Sequence, residues 1–161
     1  MHRLFGEGKP NWDSFLIVGV GNRIKGDDGV GIYITKELKY KGLSNIIIAE
    51  NGLENYIGKI NSQNPKGIVL VDALDIENEK PGFFELIPVN EIKNTTSGTH
   101  NLSFKTLTSF FETNKQWILG IQPENVSYGL ELSQDVKTAA DEIVNLIVGG
   151  YQKYQIDLNT Y

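Results

Sequence analysis

Three side chains in this sequence could together hold a divalent metal ion: Asp28, Asp72 and His100. Two carboxylates and one imidazole suit a borderline divalent ion, and three protein ligands leave positions open for water or substrate. Apart from His2, near the N-terminus, His100 is the only histidine. Because Asp72 lies 44 positions after Asp28, and His100 lies 28 positions after Asp72, spacing alone defines no site. The case for these residues depends on the elements that position them.

Strands alternate with helices along the chain. Continuous apolar runs rich in β-branched residues predict five strands, at 15–20, 45–50, 67–72, 83–87 and 117–121. Amphipathic spacing predicts four helices, at 29–42, 53–61, 100–113 and 133–148. This order predicts an α/β three-layer sandwich, with a twisted, mostly parallel five-stranded sheet flanked by helices. A short turn precedes 83–87, so we expect that strand to run antiparallel at an edge.

Polar residues follow several of the predicted strands. In open α/β sheets, ligands bind beyond the carboxyl ends of the strands, so these residues should meet on one rim. They are Gly21, Asn22, Asp27 and Asp28 after the first strand, Glu50 after the second, Asp72 after the third and Gln122 after the fifth. Simpler interpretations stay open. The two adjacent acids could cap the first helix, Asp72 could be a turn residue, and His100 could be a surface histidine.

Composition excludes several classes of protein. The 161 residues predict a single α/β domain over 1–161, with loose arms at 1–13 and 150–161, the first pinned by Trp12. A net charge of −5 argues against a nucleic-acid surface, and the absence of cysteine excludes thiol chemistry. No apolar run reaches the length of about 20 residues that spans a bilayer. The first residues do not have the pattern of a signal peptide, so we expect none. We therefore expect a cytoplasmic protein without a membrane partner, monomeric because no long apolar helix face is exposed.

Two other site classes share parts of this pattern. Gly19-Val20-Gly21 after a strand suggests a dinucleotide fingerprint, but the third glycine is replaced by Ile24. A receiver-type phosphoacceptor domain also places acids after its first and third strands, followed by a lysine after a later strand. Here Gln122 occupies the lysine position, and GNRIKG separates the acid pair from the strand. Neither a phosphate-binding P-loop nor a serine-hydrolase elbow is present.

The segment 19–31, GVGNRIKGDDGVG, resembles the opening motif of the [NiFe]-hydrogenase maturation proteases, roughly GxGNxxxxD[DE]GxG. Segments 71–73, 99–101 and 120–124 resemble later landmarks of that family in the same order. The resemblance extends over about 15–148. The Gly-Ile-Gln-Pro element at 120–123 is most similar to the branch serving membrane-bound, energy-converting hydrogenases.

The resemblance implies a function as well as the fold. Members are aspartic-type endopeptidases that remove a C-terminal peptide from the hydrogenase large-subunit precursor after nickel insertion. It implies that Asp28, Asp72 and His100 are the catalytic, metal-contacting residues, with nickel supplied by the substrate rather than permanently bound. Gly21, Asn22 and Asp27 would support the loop or the substrate. Arg23 and Lys25 depart from the usual small or apolar residues, and would contact either an acidic precursor surface or only solvent.

The chemistry leaves two mechanisms open. Cleaving an amide needs a nucleophile, and water is favoured because no Ser or Cys device is evident. Nickel held by Asp28, Asp72 and His100 could polarise that water, or a carboxylate could act as its base. A chaperone that binds nickel or the precursor without cleaving it is the non-enzymatic alternative.

Overall fold

Five strands form one mixed sheet in the computed structural model, which describes residues 4–92, 104–129 and 131–160. The strands are β1 (Leu16–Val20), β2 (Ile46–Glu50), β3 (Ile68–Ala73), β4 (Phe84–Pro88) and β5 (Gln116–Ile121). Their order is β2-β1-β3-β5-β4. All neighbours pair in parallel except β4, which runs antiparallel to β5 at one edge. The predicted fold class and its antiparallel edge strand are confirmed.

Helices cover both faces of this sheet. They are α1 (Val30–Tyr40), α2 (Ile57–Ser62), α3 (Phe104–Thr108) and α4 (Gln134–Thr160). Side chains of a strand alternate between faces, so β1, β3 and β5 each contribute to two apolar clusters. One cluster packs against α1 and α4, and the other against α2 and α3.

A polar contact also joins α1 to α4. The Tyr33 hydroxyl donates a hydrogen bond of 2.6 Å to the Asp141 carboxylate. That bond, together with partial burial and nearby negative charge, raises the pKa of Tyr33 to about 12.

The structure corrects two predicted helix ends. The helix predicted to stop before Gly149-Gly150 continues as α4 to Thr160. A glycine inside a helix costs about 1 kcal/mol of stability relative to alanine, and packing can outweigh that cost. Gly150 packs closely against the Phe5 ring, since a Cβ at this position would lie 2.5 Å from it. The helix predicted to reach position 113 ends at Thr108, where two successive i→i+3 turns lead to the buried Phe111.

The N-terminal residues are packed against the core rather than extended as the predicted loose arm. Leu4 and Trp12 are both buried, and the Trp12 indole N–H donates a hydrogen bond of 2.8 Å to the Leu4 carbonyl. Trp12 therefore pins this segment, as predicted. None of the helices in the described ranges is both long enough and apolar enough to cross a membrane.

Strand polarity gives the sheet two chemically different edges. The four parallel strands all end at one side, the carboxyl edge, and begin at the other, the amino edge. A 3-10 helix, Gly26–Gly29, follows β1 at the carboxyl edge and leads directly into α1. The predicted acids are located on this side.

Candidate active site at the carboxyl edge

Asp28 and Asp72 approach each other around Gly21. Gly21 directly follows β1 and has a φ of +134°, a conformation that side chains rarely adopt. A Cβ at this position would lie 2.1 Å from the Asp28 backbone oxygen and 3.3 Å from Asp72 Oδ1. Only glycine fits between them, so this close approach depends on the residue type at position 21.

Asn22 orients the Asp28 carboxylate. The Asn22 backbone N–H faces both Asp28 Oδ2, at 3.0 Å, and the Asp28 carbonyl oxygen, at 3.2 Å. The side chain of Asn22 accepts the Ile24 N–H at 3.1 Å, which closes a turn within the same loop. Lys25 and Gly29 occupy the N-cap positions of the 3-10 helix and α1, so neither acid of the pair is an N-cap residue.

Asp72 is fixed by the sheet itself. It is the penultimate residue of β3, between β1 and β5, and pairs in register with Gly120. Both Asp72 and Asp28 are buried. Burying negative charge is unfavourable unless partners compensate, and a buried carboxylate attracts a cation strongly in a medium of low dielectric constant. The arrangement can therefore supply hard oxygen ligands to a divalent ion.

Asp27, next to Asp28, has a structural role. Its carboxylate is completely buried and accepts hydrogen bonds from the backbone N–H groups of Glu124, Asn125 and Ser133, at 2.8, 3.0 and 2.7 Å. The Ser133 hydroxyl donates a fourth bond at 2.8 Å. Asp27 thereby holds the segment between β5 and α4 against the 3-10 helix.

A cleft of about 270 Å³ opens beside Asp28. The described residues that line it are Asp28, Ala73, Asp75, Gln122, Pro123, Glu124 and Val126. Gln122 connects two of its walls: the Ile76 N–H donates to Oε1 at 2.5 Å, and Nε2 donates to Asp75 Oδ1 at 3.3 Å. Gln122 is one of the polar residues that the sequence places on this rim, and Asp75 follows closely after Asp72 at the end of β3. Neither is among the predicted catalytic or metal-contacting residues.

Arg23 and Lys25 both interact within the chain. Arg23 forms an ion pair with Glu50, the last residue of β2. The Lys25 ammonium lies 5.2 Å from the centre of the Tyr128 ring, a cation–π distance. These contacts connect the loop after β1 to β2 and to the loop after β5. Whether a partner also contacts either charge stays a prediction.

The third predicted ligand, His100, lies outside the described residues. Among the residues within 4–92, 104–129 and 131–160, no group of three or more His, Cys, Asp or Glu side chains is placed to hold a metal ion. The structure places Asp28 and Asp72 around Gly21, and their role as metal ligands stays a prediction.

Several known proteins resemble this chain. A family model described as hydrogenase maturation protease matches residues 32–150. The hydrogenase 3 maturation protease of Escherichia coli K12 is 27% identical over 139 residues, covering 83% of this chain and 88% of that protein. The solution structure of the endopeptidase HycI from Escherichia coli has a TM-score of 0.74 at 26% identity and covers 84% of this chain and 90% of its own.

A second solved structure supports the same fold. The crystal structure of the [NiFe] hydrogenase maturation protease HycI from Thermococcus kodakarensis has a TM-score of 0.74 at 23% identity. It covers 87% of this chain and 93% of its own length.

Proposed function

Because this chain belongs to the hydrogenase maturation protease family, we propose that it removes the C-terminal peptide of a [NiFe]-hydrogenase large-subunit precursor after nickel insertion. The observation that carries this proposal is the pair of buried carboxylates, Asp28 and Asp72, around Gly21 beside an open cleft. Buried carboxylates are costly to retain unless partners or a function compensate.

Nickel would reach the site as part of the substrate. Asp28 and Asp72 would contribute oxygen ligands, and His100 would contribute an imidazole nitrogen. Three ligands from the protease leave further positions on the ion for the precursor's own ligands. The protease would therefore recognise nickel without extracting it, which makes cleavage dependent on prior insertion.

Water is the proposed nucleophile, since the chain has no cysteine and no serine-hydrolase elbow. Divalent ions lower the pKa of bound water, which would prepare it for attack on the peptide carbonyl. A carboxylate beside the cleft would accept the water proton and pass it to the leaving amine as the C–N bond breaks. Gln122 and Pro123 would hold the peptide in the cleft during this step.

The test is the intact mass of the precursor, loaded with nickel or free of it, after incubation with the protein. We expect a C-terminal peptide to be lost only from the nickel-loaded form. Asp28→Asn and Asp72→Asn should slow this loss by about 100-fold or more, since each removes a charged group that contacts the reacting centre. Asp135→Asn, an exposed acid in the first turn of α4, is the matched control and should cleave at the wild-type rate.

Three outcomes would contradict parts of the proposal. Equal cleavage of both precursor forms would exclude nickel recognition. Stoichiometric transfer of nickel to the protease would exclude its role as a shared, substrate-borne ion. Binding of the precursor without any loss of mass would favour the non-catalytic chaperone instead.

A further inference from the structure

Three large apolar side chains are exposed on the two loops that flank the cleft. They are Ile24, Val126 and Tyr128, exposed by 58%, 39% and 70%, and together they form the apolar rim. Ile24 belongs to the loop after β1, and the other two belong to the loop after β5. Isolated apolar residues are common on protein surfaces, so exposure alone does not indicate a binding site.

The two loops of the apolar rim are joined to each other. The Gly129 N–H donates to the Ile24 carbonyl at 2.9 Å, and the Asp27 N–H donates to the Asn125 carbonyl at 2.8 Å. A Cβ on Gly26 would lie 2.6 Å from the Asn125 carbonyl oxygen, so the backbones are in close contact. The rim is therefore presented on one supported surface rather than on two independent loops.

This support favours binding. A surface that is already ordered loses less conformational entropy when a partner docks. The Asp27 carboxylate, completely buried, anchors the β5 loop through the N–H groups of Glu124 and Asn125. The Lys25 ammonium lies over the Tyr128 ring and stabilises its position.

Continuity with the cleft identifies the occupant. Val126 belongs to the apolar rim and also lines the cleft that contains Asp28. A polypeptide whose scissile bond enters that cleft must leave it across the adjoining surface. We propose that the apolar rim is a docking surface for an apolar segment of the precursor that flanks the cleaved peptide. This inference rests on the proposed function and adds a determinant of substrate specificity to it.

The rim should affect substrate binding and not the chemical step. Ile24 and Val126 have hydrocarbon side chains that cannot transfer protons, and Tyr128 lies against the Lys25 ammonium rather than in the lining of the cleft. We therefore expect Tyr128→Ala and Ile24→Ser each to raise KM for the nickel-loaded precursor by about 5- to 20-fold, the usual effect of removing an anchor residue. The kcat value should stay within about twofold.

The measurement is the initial rate of peptide loss by intact mass across a range of precursor concentrations. Tyr40→Ala is the matched control, since Tyr40 is 86% exposed but lies at the end of α1, outside both rim loops. Its KM should equal that of the wild type. Thermal unfolding of each variant shows whether the fold is retained.

The outcomes separate this inference from the proposed function. If the wild type cleaves and the rim variants keep its KM, or lose kcat instead, the docking surface is overturned and the protease function remains. If the wild type does not cleave, the proposed function fails, and titration of the precursor onto the protein tests the rim directly. A Kd unchanged by Tyr128→Ala would then overturn the docking surface as well.

Discussion

The two edges of the sheet differ in the size of their cavities and in the chemistry of their walls. The cavity at the amino edge has a volume of about 870 Å³, compared with about 270 Å³ for the cleft at the carboxyl edge. Its described lining residues include Lys9, Lys105, Lys115 and Trp117 but no Asp or Glu. The smaller cleft contains Asp28, and Asp72 is buried close by. Cavity volume alone would therefore favour the amino edge as the functional site, whereas the acidic side chains favour the carboxyl edge.

The side chains that line each cavity indicate the functional edge better than the cavity volume does. Exposed lysines lose little by facing solvent, so a groove lined by them needs no special explanation. Buried carboxylates lose their hydration and are retained only where partners or function compensate. Parallel strands also place every turn that follows a strand at the same edge, where loops can vary without disturbing the core.

A pair of glycine substitutions should separate the two edges most strongly. Gly21→Ala at the carboxyl edge places a Cβ 2.1 Å from the Asp28 carbonyl oxygen, at a φ of +134°. We expect a loss of about 3 kcal/mol in the free energy of unfolding, from overpacking and backbone strain together. Cleavage should fall at least 100-fold because the Asp28 backbone must move. Urea denaturation and the precursor mass assay measure the two effects.

Gly67→Ala is the counterpart at the amino edge. Its Cβ would lie 2.3 Å from the Phe15 ring, but position 67 has no positive φ and that ring borders the large cavity. The expected loss is about 1 kcal/mol, with cleavage unchanged. If both alanine variants lose activity equally, the distinction between the edges does not hold.

Asp27→Asn should have the next largest effect. An amide keeps one acceptor oxygen and places an NH₂ group against the N–H donors that the carboxylate now accepts. We expect a loss of about 2 kcal/mol in the free energy of unfolding. Asp135→Asn, on the exposed start of α4, should lose no more than about 0.5 kcal/mol. If the two variants were equally stable, Asp27 would not be the residue that anchors the wall of the cleft.

The position of the site at the carboxyl edge can be predicted from the sequence, but the anchoring role of Asp27 cannot. The apolar runs of β1, β2 and β3 are local signals, and the polar residues at this edge lie within or shortly after the carboxyl ends of these strands. Asp27 binds residues 97 to 106 positions away, so no local pattern could identify its partners. The same limit explains the misplaced end of α4, because the contact between Gly150 and Phe5 joins the two ends of the described chain.

The smallest effect is expected at the amino edge. Replacing Lys9, Lys105 and Lys115 together by alanine removes three positive charges from the larger cavity, and none of them lines the Asp28 cleft. Surface charges this far from the reacting groups are screened by salt, so kcat and KM for the nickel-loaded precursor should both stay within about twofold. Rates measured at low and high salt would check this, since an electrostatic contribution to precursor capture would be largest at low salt. A rise in KM confined to low salt would show that the amino edge also attracts the substrate, and the precursor would then contact both edges of the sheet.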